Sequence, residues 1–366
     1  MRHNDPSAAP DKASVRRKGL PYLFLTLFLA LISGLSIWFI GRIFGGGEFV
    51  LSLSFITPVI AAEIAGFLLV YFLFDSLRFY CALRTLGLNI PFWYIVRLTF
   101  INVFVSAITP FAAGGGFLQI YFLSKRNVPL GKATAAATIR TLLGVSVFFI
   151  AVPIVLIVNP ALFDLLGTGY TWILGVTAAI FSVIIIALVW IVFNERNLKR
   201  VVFRFLRFLR KRRVLSPSKM RRVCVKLFSE IRSFNAGLRL FFGGSKKFML
   251  LSFLSTGMFL FMLFSLPILL TRAMGYQEQI SPAFIYQAMI VITFVTYFAF
   301  TPGAAGLAEG GFALMFSGSV NEGDIASLTL LWRSLSVYVG TLVGLVLFYI
   351  EVLTKPKKRG EKDRDG

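Results

Sequence analysis

Long apolar runs separated by short polar joints dominate the chain. Uninterrupted runs lie near residues 20–41, 57–80, 131–157, 170–193, 248–272 and 326–351. Each reaches the ~20 mostly apolar residues that a membrane-crossing helix needs. Two further apolar segments, 92–123 and 282–316, are broken in the middle by related strings. The first is "TPFAAGGGF" from Thr109 to Phe117, and the second is "TPGAAGLAEGGF" from Thr301 to Phe312, 192 residues later. Proline and clustered glycine are poor helix interiors. Each broken segment is too long for one crossing and too short for two crossings with a loop. The pattern predicts a hairpin of two short helices that turns within the membrane.

Basic residues set the orientation, because short cytoplasmic loops carry the Lys/Arg excess. With the basic N-terminal tail inside and both hairpins returning to their starting side, 32 of the 38 Lys and Arg residues face inward. Only Arg42 and Arg272 face outward. The expected protein is all-α, polytopic and membrane-embedded, with six full spans and two broken or re-entrant hairpins. One hairpin would open inward and the other outward, which makes the halves an inverted-topology repeat. Broken helices at matching positions of such repeats point to a substrate site. The expected layout is a cytoplasmic basic tail (1–19), repeat 1 (20–157), repeat 2 (170–193 and 248–351), a basic cytoplasmic insertion between them (194–247) and a basic tail (352–366). The run after the N-terminal tail is read as a retained first span, since it exceeds a secretory core and lacks a small-residue cleavage site. Localisation would be the cell membrane, multi-pass, with both termini cytoplasmic.

Composition fits that class. Of 366 residues 57% are hydrophobic and 15% charged, with a net charge of +22, well outside soluble usage. Cys81 and Cys224 are too few for a disulfide framework. The single histidine, His3, lies in the tail, so no imidazole base, nucleophile or metal ligand is expected in the membrane. No catalytic residue, metal or cofactor is expected.

Charges inside the bilayer are costly and usually pair or line a wet cavity. Asp75 and Arg78, three apart on one helix, suit a local ion pair, and Arg97 lies close enough to the surface to snorkel. Arg140 and Arg333 stand 31 and 32 residues after Thr109 and Thr301, so each follows its hairpin in step. A guanidinium fork suits phosphate or carboxylate; the alternative is a structural pair with Glu63 or Glu309. Glu309 could cap the helix that follows the second string or exchange a proton in a wet cavity. Gln119 could donate to a head group or bond a neighbouring helix. The candidate binding residues are therefore Arg140, Arg333, Gln119, Glu309 and Glu63. The hairpin turns rest on Thr109, Pro110, Gly114 and Gly115, and on Thr301, Pro302, Gly303 and Gly306. Gly340 and Gly344 suit close helix packing.

Residues 196–247 hold seventeen Lys/Arg and one acid, Glu230. Arg200, Arg204, Arg207 and Lys211 share one helical face, with Val202, Phe205, Leu206 and Leu209 opposite. Interleaved apolar residues and flanking spans favour an interfacial helix on anionic inner-leaflet phospholipid over nucleic acid. "LSPSK" (Leu215 to Lys219) would mark a turn between two such helices.

The stretches Thr109 to Arg140 and Thr301 to Phe316 carry a family resemblance. "TPFAAGGGFLQIYFLSKRNVPLGKATAAATIR" and "TPGAAGLAEGGFALMF" resemble the lysylphosphatidylglycerol synthase transmembrane region, a flippase-like family, over residues 20–351. The chain departs at Gly116, where members often carry Glu or Gln, and at Ala304 and Ala305, where glycine is common. Larger relatives append a soluble aminoacyltransferase domain; here 16 residues follow Ile350. The resemblance implies translocation of an aminoacylated or glycosylated lipid. The alternative it leaves is a membrane module of a phosphatidylglycerol lysyltransferase-type enzyme acting with a separate soluble catalytic partner.

Overall fold

The computed structural model describes residues 55–160, 194–211, 217–297 and 299–353, with scattered positions in 27–38 and 172–190. The expected spans at 20–41 and 170–193, and both tails, fall largely or wholly outside the described residues. The described chain is helical, with no strand. In order come α1 (Pro58–Thr85), α2 (Phe92–Ile108), a 3-10 turn (Pro110–Ala112), α3 (Ala113–Lys125) and α4 (Leu130–Val158). Then follow α5 (Glu195–Lys211), α6 (Pro217–Gly243), α7 (Lys246–Ala273), α8 (Pro282–Thr296) and a second 3-10 turn (Pro302–Ala304). The chain continues with α9 (Leu307–Phe316), α10 (Glu322–Arg333), a π-helical turn (Ser334–Tyr338) and α11 (Val339–Leu353).

Among the described residues four helices are long and apolar enough to cross a membrane: 58–85, 130–155, 246–273 and, through the π-turn, 323–352. At 1.5 Å per residue even the shortest is about 39 Å long, above the ~30 Å of a bilayer core. The arms α2, α3, α8 and α9 have 17, 13, 15 and 10 residues. They measure about 25, 20, 22 and 15 Å, so none crosses alone. α2 packs on α3 and α8 on α9, which makes each broken segment a hairpin.

Local chemistry sets the helix starts. Thr57 Oγ1 accepts the Ile60 N–H and Ser281 Oγ accepts the Phe284 N–H, each ahead of a proline at the first helical position. Those are the N-terminal preferences of any helix. Two apolar cores hold the bundle. One, around Phe79, Ile95, Phe104, Leu123 and Ile139, joins α1–α4 and α11. The other, around Phe148, Phe264, Phe294, Phe312 and Trp332, joins α1, α4 and α7–α10. Phe312 stacks between Phe316 and Trp332 with ring centroids 4.4 Å apart on both sides. Large apolar side chains such as Leu69, Trp93, Phe117, Ile150 and Ile157 point outward, as a lipid-facing surface requires.

Close approach explains the packing glycines. A Cβ on Gly344 would sit 2.1 Å from the Phe100 carbonyl oxygen, and one on Gly340 2.9 Å from the Phe72 ring. α11 therefore lies against α2 at backbone contact, the role expected of that pair.

The basic insertion is more than a surface element. α6 packs along α4, and the Glu230 carboxylate accepts the Gly131 N–H at 2.6 Å. A Cβ on Gly131 would meet the Glu230 carbonyl oxygen at 2.2 Å, so the first turn of α4 is seated on α6. Of the turn expected at 215–219, the first two positions lie outside the described residues, and Pro217 to Lys219 instead form the start of α6. α5 carries the Glu195–Lys199 ion pair and exposes Phe203 and Phe205.

Candidate functional site

Each Thr-Pro string ends a helix and starts a tight turn. Thr109 Oγ1 donates to the Val105 carbonyl at 2.7 Å and accepts the Gly114 N–H at 3.1 Å, closing the first turn. A Cβ on Gly114 would lie 2.7 Å from Thr109 Cγ2, and one on Gly115 only 2.2 Å from Ser106 Oγ. α3 can fold back on α2 because those two positions lack side chains. Gly116 faces open space. In the second turn Thr301 Oγ1 donates to the Ala305 carbonyl at 2.8 Å. Gly303 and Gly306 adopt φ of 60° and 88°, a region that costs side chains strain. Three other residues at the tips, Phe111, Ala112 and Ala304, hold φ of 57°, 52° and 56° without being glycine. Each such non-glycine residue costs ~1–3 kcal/mol unless its surroundings hold it there.

The tips touch. The Phe111 N–H donates to the Ala299 carbonyl at 3.3 Å, and the rings of Phe111 and Phe300 lie 4.8 Å apart, edge to face.

Beside the tips lies a cavity of about 280 Å³ that both turns and both in-step arginines line. Arg140, from α4, donates through Nη2 to Asp75 Oδ1 at 2.6 Å and through Nη1 to Gln119 Oε1 at 3.1 Å. Gln119 in turn donates to the Leu98 carbonyl at 3.3 Å, which ties α3 to α2. Arg78 reaches the same Asp75 oxygen through Nε at 2.7 Å and Nη2 at 2.6 Å. Its guanidinium also sits 3.8 Å above the Phe259 ring, an arrangement that adds cation–π attraction. Arg333, at the end of α10, donates through Nε to Glu309 Oε1 at 2.8 Å and through Nη2 to the Gly303 carbonyl at 2.5 Å. The other Glu309 oxygen accepts the Gly306 N–H at 2.7 Å. Glu309 thus caps α9 and anchors Arg333 at once. Each arginine bonds the returning helix of its own hairpin, Gln119 on α3 or Glu309 on α9.

Four of the five candidate binding residues therefore meet here, with Arg140 and Arg333 on the wall and Gln119 and Glu309 buried behind them. Glu63 does not join them. It lies exposed on α1, twelve residues before Asp75 and so about 18 Å up the helix. The partner of Arg140 is Asp75, not Glu63. The Asp75–Arg78 spacing suited a local pair, and that pair forms; what the sequence withheld is its second arginine, brought from 65 residues away. Tyr71, Asn102, Tyr297 and Ser336 also line the cavity. The π-turn directly after Arg333 had no sequence signal either, although such turns recur at functional sites. Arg97 is exposed on α2, and Asn159 Nδ2 donates to Gln287 Oε1 at 2.9 Å away from this cluster. Among the described residues no group of His, Cys, Asp and Glu could hold a metal ion.

Comparison with known proteins follows the same lines. A family model described as the lysylphosphatidylglycerol synthase TM region matches residues 25–344. A UPF0104 membrane protein of Archaeoglobus fulgidus is 25% identical over 278 residues, which is 75% of this chain and 81% of the relative. No solved structure matches the chain.

Proposed function

The chain belongs to the lysylphosphatidylglycerol synthase TM-region family, and from that premise we propose that it moves a polar-headed lipid between the leaflets of the membrane. The observation that carries this reading is the meeting of both hairpin tips and both in-step arginines at one cavity. An aminoacylated or glycosylated phospholipid would place its head group there, against Arg140 and Arg333, with its acyl chains left among the outward apolar side chains. Hydrogen-bonded guanidinium groups held by carboxylates are pre-aimed, so they bind an anionic head without first losing side-chain freedom.

The inverted repeat belongs to this proposal. Its support is a reciprocal packing pattern: α2 of the first hairpin lies on α11, while α8 of the second lies on α4. α1 packs on its counterpart α7, and tip meets tip. Such an arrangement can rock about a central axis and open the cavity to each side in turn. Both termini would be cytoplasmic, in the cell membrane, with α5 resting on anionic lipid of the inner leaflet.

Reconstitution in liposomes with fluorescent lipids tests the activity. Faster loss of outer-leaflet signal than in protein-free vesicles, abolished by Arg333→Gln, is expected. A protein-free rate across phosphatidylglycerol, aminoacylated and glycosylated lipids would end the proposal. Single cysteines placed at 127 and 318, at the ends of the two hairpins away from the touching tips, should be labelled from opposite faces of the membrane; labelling from one face would remove the inverted repeat.

A further inference from the structure

The charge count of the cavity specifies its ligand more narrowly than the family does. The charged side chains that line it, together with the one bonded directly behind them, are Arg78, Arg140, Arg333, Asp75 and Glu309. Three guanidinium groups face two carboxylates, which leaves one positive charge without a counter-charge. All five are held by hydrogen bonds to one another or to backbone. An uncompensated charge inside a membrane protein is costly, so an incoming group with one negative charge is favoured. A second negative charge would invert the imbalance, and an added amine would restore it.

Two of the buried donors without a partner among the described residues are Arg140 Nε and Ser336 Oγ. Both belong to residues on the cavity wall, one on α4 and one on the π-turn. Buried polar atoms are normally satisfied; both atoms are closed off from the cavity surface, and a small shift of the two side chains would offer an oxyanion a guanidinium N–H and a hydroxyl. The volume of about 280 Å³ lies just below the usual range of ligand pockets, ~300–1,000 Å³, a size that suits a head group better than a whole lipid.

We propose that the cavity takes a phosphodiester monoanion carrying an uncharged substituent, such as a glycerol or sugar, and discriminates against amine-bearing and doubly charged head groups. This rests on the lipid-translocation reading and chooses between its two substrate classes, the glycosylated over the aminoacylated. Asp75 is the residue that sets the count, because its carboxylate neutralises one of the two arginines it touches.

The test is equilibrium binding to the purified full-length protein in detergent, read by ligand-induced thermal shift. The probes are dihexanoyl-phosphatidylglycerol (diester, one charge), dihexanoyl-phosphatidylcholine (diester, balanced by an amine) and dihexanoyl-phosphatidic acid at pH 8 (monoester, near two charges). A fourth probe, glycerophosphoglycerol, carries the diester without acyl chains. The phosphatidylglycerol probe should bind about tenfold tighter than the other two lipids, as expected for one unmatched charge at short range. Arg78→Gln, which brings the count to zero, should erase that preference, and Asp75→Asn, which raises it to two, should move it towards phosphatidic acid. Glycerophosphoglycerol binding as tightly as the lipid would make the source a free diester, and weaker binding a lipid head; either supports the monoanion. Equal binding of the choline or phosphatidic acid probe by the unaltered protein overturns the proposal, as does an unchanged preference in a folded Arg78→Gln. Selective binding without lipid movement in liposomes would sink the translocation reading alone. Movement without selectivity would sink this inference alone.

Discussion

Asp75 Oδ1 and Arg140 Nη2 lie 2.6 Å apart across 65 residues of sequence, and the same oxygen also faces Nε and Nη2 of Arg78. This contact joins α1 to α4 and fixes the height of Arg140 beside the hairpin tips. Removing one partner of a buried ion pair leaves the other unpaired, at a cost of ~3–5 kcal/mol. Asp75→Ala leaves two arginines stranded and is expected to lower the unfolding temperature in detergent more than any surface substitution. Asp75→Ala combined with Arg140→Leu should be milder than the sum of the two single changes, because one of the two stranded charges is gone. Additive losses would show that the pair does not couple the helices.

The first turn depends on absent side chains. Gly115→Ala puts a methyl group 2.2 Å from Ser106 Oγ and 2.5 Å from the Asn102 carbonyl oxygen, so α3 must lift from α2. A loss of about 1–3 kcal/mol is expected for such overpacking, read as reduced thermal stability. Gly116→Ala, facing open space, should match the parent or gain slightly from its higher helix propensity. Equal stability of the two variants would mean that α3 does not lie on α2 as described.

How much of this was legible in the sequence differs from residue to residue. The hairpins were, because proline and glycine interrupt apolar runs too short to cross twice. Arg140 and Arg333 stood out through their matched spacing from Thr109 and Thr301. Asp75 did not, since its i,i+3 spacing to Arg78 already gave it a sufficient local partner. Nothing in a hydropathy pattern reports a pairing over 65 residues. Glu63 was drawn in because an intramembrane carboxylate invites a partner, yet its level on α1 is wrong for Arg140. The docking of α6 on α4 was hidden for another reason. Its basic composition reads as a surface helix, while the contact is made by a glycine, Gly131, and the one acid of the segment, Glu230.

That contact yields its own prediction. Glu230 accepts a backbone N–H at the start of α4, where its charge also meets the positive end of the helix dipole. Glu230→Ala should cost ~1–2 kcal/mol and loosen α6. Limited proteolysis of the detergent-solubilised protein should then cut within 217–243 several-fold faster than in the parent. Glu230→Gln keeps an acceptor and should fall between. An unchanged cleavage rate in Glu230→Ala would show that apolar packing alone seats α6.

The tip-to-tip contact is where motion should be most visible. Phe111 and Phe300 meet edge to face at 4.8 Å, and Phe111 holds φ of 57°, a conformation that its neighbours must enforce. If the two halves rock to open the cavity, this junction must part in every cycle. A double variant, Phe111→Cys with Phe300→Cys, should cross-link readily with a short bifunctional thiol reagent, in a background where Cys81 and Cys224 are replaced by serine. Cross-linked protein should move lipid at the protein-free rate and recover on cleavage of the linker. Each single variant, treated the same way, should keep its own untreated rate. Full lipid movement through a closed cross-link would mean that the tips form a fixed post, and that the path of the head group lies elsewhere.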